Sequence, residues 1–293
     1  MDFASLEPLP GGWSGETFVA DLGGGERQVV RIHARNPGRA EVDAALMRLV
    51  RGLLPVPEVL EVRRATTDLP ALLITSYLPG ERGDLVLPRL SSEDLAVLGS
   101  RVGELAATLG GMPQPRPGEF VAVGSELTLR DWGLADGLPE WATAALAGGL
   151  QHWSRGEGEG LLAVAEDADR QLDLDSRSCL VHSDLNPKNL LVDPVTLEIT
   201  GVLDWEYAHA GHPFTDLGNL LRFDRDPPYV AAVTATYARL RGVTVSEALE
   251  RARAADLWAL IDLSARRERN PVTDRAEQLL RAIAVSRDIS AEP

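Results

Sequence analysis

Three side chains in the second half of the sequence have the types and spacing to do chemistry together: Asp184, Asn189 and Asp204. Asp184 and Asn189 stand five apart in His182-Ser183-Asp184-Leu185-Asn186-Pro187-Lys188-Asn189, a polar loop held between two short apolar runs. Asp204 follows twenty residues after Asp184, at the end of a third apolar run, and is itself followed by Trp205. Hard oxygen donors of this kind suit a divalent cation, and a carboxylate beside them can orient a hydroxyl. Taken singly, Asp184 and Asn189 are better explained as Asx-type turns. The spaced set, an Asp, an Asn five residues on and an Asp on a later strand, is what matches loops that move phosphoryl groups.

Such a loop needs strands to fix its ends and a second body to hold a co-substrate. Leu180-Val181 and Leu190-Leu191-Val192 supply the flanking strands. Upstream, Thr17–Ala20 and Gln28–Ile32 read as a hairpin across Gly23-Gly24-Gly25. Val42, Ala45, Leu46, Leu49 and Leu53 recur at helical spacing, and two more strands follow at Val59–Val62 and Ala71–Tyr77. Pro79-Gly80 reads as a hinge. Beyond it the pattern is mostly helical. Ser91-Ser92-Glu93-Asp94 resembles a capping box ahead of an apolar stripe from Leu95 to Leu109. Residues 113–160 are rich in Gly, Pro and Trp; helix is expected around 139–153, with loops on both sides, then a helix over Leu161–Leu172. Leu217–Phe223, Tyr229–Leu240, Ser246–Arg266 and Thr273–Arg287 read as further helices. The expected organisation is an α+β chain with a small antiparallel sheet and one helix over 1–80, and a larger, mainly helical region over 81–293.

Composition sets limits on partners. The 293 residues are 44% apolar and 25% charged, enough for a sizeable core, with a net charge of −15. That charge argues against a nucleic-acid or anionic-membrane partner, and it permits a cationic one. Residues 81–293 carry 34 acids against 21 bases. The single cysteine, Cys179, excludes a disulfide framework, and no basic-then-apolar leader opens the sequence, so a reduced cytoplasm is expected. The chain holds 28 arginines and one lysine, Lys188, which lies inside the loop.

The loop and its surroundings resemble the aminoglycoside phosphotransferase and choline kinase-like family, which shares the protein-kinase fold. The resemblance rests on His182–Asn189 followed by Leu190-Leu191-Val192-Asp193, on Val202-Leu203-Asp204-Trp205-Glu206 and on Thr215-Asp216-Leu217-Gly218. Pro55-Val56-Pro57 and Tyr77-Leu78-Pro79-Gly80 sit where that family tends to place such residues. It covers roughly residues 10–225; the C-terminal helices carry no motif of it.

The resemblance implies a two-lobe, protein-kinase-like fold and transfer of a γ-phosphate from ATP or GTP to a small hydroxyl-bearing acceptor. It implies that Asp184 accepts or orients the proton of the attacking hydroxyl, with orientation counting for more than basicity beside a bound cation, and that Asn189 and Asp204 ligate Mg²⁺. His182 would hold the loop, and Asp216 would cap the next helix and steady the loop. Serine at 183 replaces the more usual Gly or Arg with no evident penalty. Lys188 could meet the γ-phosphate or be a solvated loop lysine.

The family normally places a lysine on the third strand. Arg31 occupies that position, with Glu41 as its expected helix partner and Asp43 as the alternative; an exposed strand arginine is the plain reading. The hinge would meet the base through the backbone of Ser76 and Leu78. The glycine-rich Pro10–Gly15, with Ser14, could approach a phosphate or be a surface turn. Glu206 and Gly156–Gly160 are candidate acceptor-recognition elements or solvated surface, and His209 and His212 read as surface residues. The acidic second part suits an amine-bearing antibiotic of the aminoglycoside type. An amino alcohol or sugar kinase fits the same motifs, and so does a nucleotide-binding regulatory protein without turnover. A protein kinase fits less well, since Asp204-Trp205-Glu206 replaces Asp-Phe-Gly and no Ala-Pro-Glu follows.

Overall fold

The structure is a computed structural model and describes residues 5–9, 16–123, 126–132 and 137–292. Ser14 lies outside the described residues.

Alternating apolar side chains build the first sheet. Strands β1 (Ser5–Pro8), β2 (Glu16–Asp21), β3 (Arg27–His33), β4 (Val59–Arg63) and β5 (Ala71–Ser76) pair antiparallel in the order β1-β2-β3-β5-β4. Ala20, Val30 and Ile74 bury one face of it. Helix α1 (Arg39–Val50) crosses between β3 and β4. Its buried face is Ala40, Val42, Asp43, Ala44, Leu46, Met47 and Val50, whereas Leu49 and Leu53 are exposed. The expected apolar stripe is therefore rotated: an acid, Asp43, sits on the inner face because Arg39, four residues back, meets it at 2.6 Å.

The rest of the chain is mainly helical, with two smaller sheets that carry the loop. Strands β6 (Glu81–Arg82), β11 (Leu190–Val192) and β12 (Ile199–Val202) run in the order β12-β11-β6. The other sheet orders β7 (Pro113–Gln114), β10 (Ser178–Val181), β13 (His209–Gly211), β8 (Gly118–Val123) and β9 (Glu126–Arg130) as β7-β10-β13-β8-β9. The β8–β9 hairpin was not expected. Its strands fall in the stretch whose Gly, Pro and Trp content hides their alternation, and the sheet is completed by partners far away in sequence.

Among the described residues the longer helices after β6 are α3 (Ser92–Leu109), α4 (Leu138–Ala147), α5 (Arg155–Leu172), α7 (Pro227–Arg241), α8 (Val245–Ala265) and α9 (Pro271–Ser286), with the short α2 (Gly83–Val86) and α6 (Thr215–Leu221). Gly156–Gly160 is not a loop but the start of α5. Ser154 and Glu157 form a reciprocal cap there. A Cβ on Gly160 would lie 2.0 Å from the Ala284 carbonyl, so glycine lets α9 approach closely. One apolar core joins α1, α3, α7 and the strands around the loop, and a second joins α4, α5, α8 and α9. Among the described residues no helix is long and apolar enough to cross a membrane.

Candidate active site

The loop leaves β10 at Val181 and enters β11 at Leu190, so sheets fix both of its ends. Leu180, Leu185 and Leu190 anchor it in the main core. Its backbone is held from α6. Asp216 accepts from the amides of His182 at 2.9 Å and Ser183 at 2.8 Å, and the Asn219 amide donates to the Ser183 carbonyl at 3.0 Å. His182 has no exposed surface. Its Nε2 donates to the Leu203 carbonyl at 2.9 Å, which leaves Nδ1 to accept the Asp184 amide at 3.3 Å. The Trp205 ring packs on the imidazole with centroids 4.7 Å apart. One imidazole thus ties the Asp184 loop to the turn that bears Asp204. Burial shapes the charge states here: it holds His182 below its ordinary value and pushes Asp216 up to about 7 against the pull of the two amides.

Ser183 lies at φ 66°, in the left-handed region where a side chain costs about 1–2 kcal/mol. Serine in place of glycine therefore carries a conformational cost that the sequence reading did not see.

Both oxygens of the Asp184 carboxylate are spoken for. Oδ1 accepts from the Asn186 amide at 2.7 Å, and Oδ2 from the Asn189 amide at 2.7 Å, with the Lys188 ammonium 3.3 Å away. Asn189 also donates to the Asp184 carbonyl at 2.8 Å. Asn186 had no role in the sequence reading; an Asn two residues after an Asp and before a proline was its only signal. With its NH₂ so used, Asn189 is turned with Oδ1 outward, and that oxygen accepts no hydrogen bond among the described residues. Asp204 stands at φ 63°, ψ 66°, and among the described residues only one of its oxygens, Oδ1, takes a hydrogen bond, from Arg31 at 2.9 Å. One amide oxygen and one carboxylate oxygen are a donor set that fits Mg²⁺, which completes its shell with water and phosphate oxygens. Among the described residues no group of three or more His, Cys, Asp or Glu is placed to hold a metal, so the set depends on asparagine.

Above this loop, Arg31 reaches down from β3. It meets Asp204 at 2.9 Å and Glu206 at 3.1 Å. Burial pulls its pKa down, but Asp204, Asp43 and Glu206 outweigh that and hold it above the ordinary value. The expected partner, Glu41, instead meets Arg64 at 2.7 Å on the exposed side of α1. The α1 acid on the inner side is Asp43, 2% exposed, where burial pushes its pKa up in spite of Arg39 and Arg31. The two acids are two residues apart, so a helix points them to different faces; the strand arginine faces Asp43. Arg39 also donates to the Trp205 carbonyl, joining α1 to the Asp204 turn. Glu206 accordingly belongs to this charge cluster.

At the hinge, the Ser76 amide donates to the Glu58 carbonyl at 2.9 Å, and its hydroxyl accepts from the Glu58 amide at 2.9 Å. The Leu78 backbone makes no hydrogen bond among the described residues. His209 is buried and His212 half-buried, so neither is a fully exposed surface residue. His209 is 7% exposed under the Trp132 ring, 4.1 Å between centroids. His212 lies 3.3 Å from the Leu172 carbonyl. Burial lowers both to about 4. In α5, Glu157 pairs with Arg281 at 2.6 Å and caps its own helix, which makes the acidic 156–160 stretch a packing element.

Comparison with known proteins follows the same outline. A model of the phosphotransferase enzyme family matches residues 5–255. Among solved structures, aminoglycoside 2'-phosphotransferase-IIIa with GDP superposes with a TM-score of 0.69 at 17% identity, covering 98% of this chain and 87% of that one. Aminoglycoside phosphotransferase APH(4)-Ia with ADP and hygromycin B gives 0.61 at 20% identity, covering 98% and 92%. A putative aminoglycoside phosphotransferase from Ralstonia eutropha gives 0.64 at 17% identity, covering 96% and 90%. At these identities the likeness is one of fold. Acyl-CoA dehydrogenase family member 11 of Mus musculus is 45% identical over 51 residues, which are 17% of this chain and 6% of that protein. The chain thus spans only a small part of the curated relatives it matches.

Proposed function

The chain belongs to the phosphotransferase enzyme family, and from that premise we propose that it transfers the γ-phosphate of a nucleoside triphosphate to a hydroxyl of a small molecule. The observation that carries this reading is Asp184. Its carboxylate is fixed through both oxygens by Asn186 and Asn189, in a loop fixed in turn by Asp216 and His182. Phosphoryl transfer asks mainly for positioning and charge neutralisation, and a carboxylate so restrained is suited to align a hydroxyl and take its proton.

Asn189 and Asp204 would hold Mg²⁺, which when bound would neutralise charge on the phosphate oxygens. Arg31 would leave its contact with Asp204 and Glu206 for the nucleotide phosphates, to which a guanidinium can bind bidentately. Lys188, beside Asp184, would face the transferred group. The Leu78 backbone is the better placed of the two hinge residues to meet a base, because the Ser76 amide is already paired.

The acceptor favoured here is an aminoglycoside-type antibiotic. The acidic balance of residues 81–293 and the aminoglycosides named in the structural neighbours support it. A second reading, a metabolic hydroxyl compound, is supported by the stretch shared with a protein named for acyl-CoA chemistry. One experiment separates them: ADP release with Mg²⁺ over a panel of aminoglycosides, macrolides, amino alcohols, sugars and hydroxylated acyl thioesters, with product mass to locate the phosphate. Turnover with one class, abolished by Asp184→Ala, is expected. Nucleotide binding without ADP release across the panel would instead make the protein a regulatory nucleotide binder.

A further inference from the structure

Far from the loop, the described residues line an open-mouthed cavity of about 320 Å³ between the starts of α7 and α8 and the last described residues of the chain. That lies within the roughly 300–1,000 Å³ of small-molecule sites. Leu221, Val230, Ala231, Val245 and Leu249 give it apolar walls, and Arg225 and Arg253 stand among them. A narrow space beside it shares Leu221, Arg225 and Arg253 and ends at the buried pair of Arg222 with Asp256, 2.7 Å apart. The floor is therefore neutral, and the charge left over is that of the two arginines against one carboxylate, Glu292, which also lines the cavity on the Arg225 side.

Those two are not satisfied alike. Arg225 donates to the Arg222 and Ala291 carbonyls at 3.3 and 3.4 Å and lies 3.7 Å from the exposed Glu292. Arg253 has no hydrogen bond and no ion pair within 4 Å among the described residues, though it is half-buried. Burial, and then Arg225, pull its pKa down, with Asp288 and Glu292 countering less strongly. A guanidinium offers five N–H donors. Two such forks against one apolar pocket are the complement of an anion that has an apolar body. The cavity is separate from the site above. Arg266, at the other end of α8, feels the charge of Asp184, and Arg253 is thirteen residues back, roughly 20 Å along the helix.

We propose that this cavity binds a small amphipathic anion, its carboxylate or phosphate head between Arg225 and Arg253 and its short aliphatic tail against Leu221, Val230 and Leu249. Isothermal titration of the full chain with octanoate, octyl phosphate, acetate and octanol tests this. At least one of the two amphiphiles should bind one-to-one below millimolar, and the tighter of the two identifies the head group. Acetate and octanol, each lacking half of the chemistry, should bind about tenfold more weakly or less. Arg253→Gln, which breaks no internal contact, should cost about tenfold in affinity with an unchanged Tm. Ala231→Trp, on an exposed wall position, should block the cavity to the same degree. Three results would overturn the proposal: no binding of either amphiphile at millimolar concentration, acetate or octanol binding as tightly as the amphiphiles, or affinity unchanged in both variants.

Discussion

The two halves of the site are held in opposite ways. The loop from His182 to Asn189 is fixed by hydrogen bonds from buried, mostly neutral groups: Asp216, Asn219, His182 and the amides around Asp184. The cluster of Arg31, Asp204 and Glu206 is held by ion pairs between residues more than 170 positions apart, all partly open to solvent. Buried hydrogen bonds are costly to break, because a group left unpaired loses its partner without regaining water. Partly exposed ion pairs exchange partners cheaply. The loop is thus built to stay in place, and the cluster to hand Arg31 and Asp204 over to nucleotide and metal.

The sharpest way to break that contrast is Asp216→Ala. It strands the His182 and Ser183 amides, each worth about 1–3 kcal/mol when left unsatisfied, so a loss of about 2–6 kcal/mol in urea unfolding is expected. Because the substitution releases the loop and leaves the β3 side intact, kcat should fall more than the KM for nucleotide. An equal stability loss from Arg31→Ala would erase the distinction.

Acid is the second probe, since it acts on the buried side. His209 stands on β13, which pairs with the strand leading into the loop. Its folded pKa is about 4 against 6.5 unfolded. Between those values the unfolded chain binds the extra proton, so stability is lost as pH falls from 6.5 towards 4, by about 3 kcal/mol for this one residue. Asp216 works the other way: its folded pKa of about 7 lies above the unfolded 3.8, so it gives up stability as pH rises through that window. Thermal unfolding measured from pH 4 to 7 should therefore show a flatter acid limb in His209→Phe and a steeper one in Asp216→Asn.

The ionic side should answer to ligand rather than to pH. Arg31→Ala should raise the KM for nucleotide about tenfold, the value of one charge-assisted hydrogen bond, with Tm shifted little. An unchanged KM would mean that Arg31 serves only Asp204 and Glu206.

The loop was readable in the sequence because its function fixes residue types at fixed spacing, and the terminal helices because their apolar periods are long. What stayed hidden was set by partners remote in sequence. The β8–β9 hairpin joins its sheet through β13, about ninety residues away. Gly160, in the glycine-rich start of α5, answers to the backbone of α9. Which helix acid lies on the Arg31 side follows from which face of α1 turns inward, and a stripe drawn through Leu49 and Leu53, both exposed, misplaces that face; the ion-pair partners Asp204 and Glu206 lie more than 170 residues on. At position 183 the left-handed backbone could be seen only in the structure. Ser183→Gly should remove that strain and stabilise the chain by about 1 kcal/mol in chemical unfolding, with kcat unchanged.

The smallest expected effect separates the two acids of α1. Glu41 pairs with Arg64, whose side chain is 66% exposed, and pairs of that kind contribute about 0–1 kcal/mol. Glu41→Ala should therefore change stability by less than about 0.5 kcal/mol and leave the nucleotide KM as it was. Asp43 faces inward beside Arg39 and Arg31, so Asp43→Ala should leave two partly buried arginines competing for Asp204 and Glu206. Measured side by side, the two variants decide which helix acid supports the strand arginine. A KM raised by Glu41→Ala alone would mean that α1 turns in the catalytic state and presents its outer face to the phosphates.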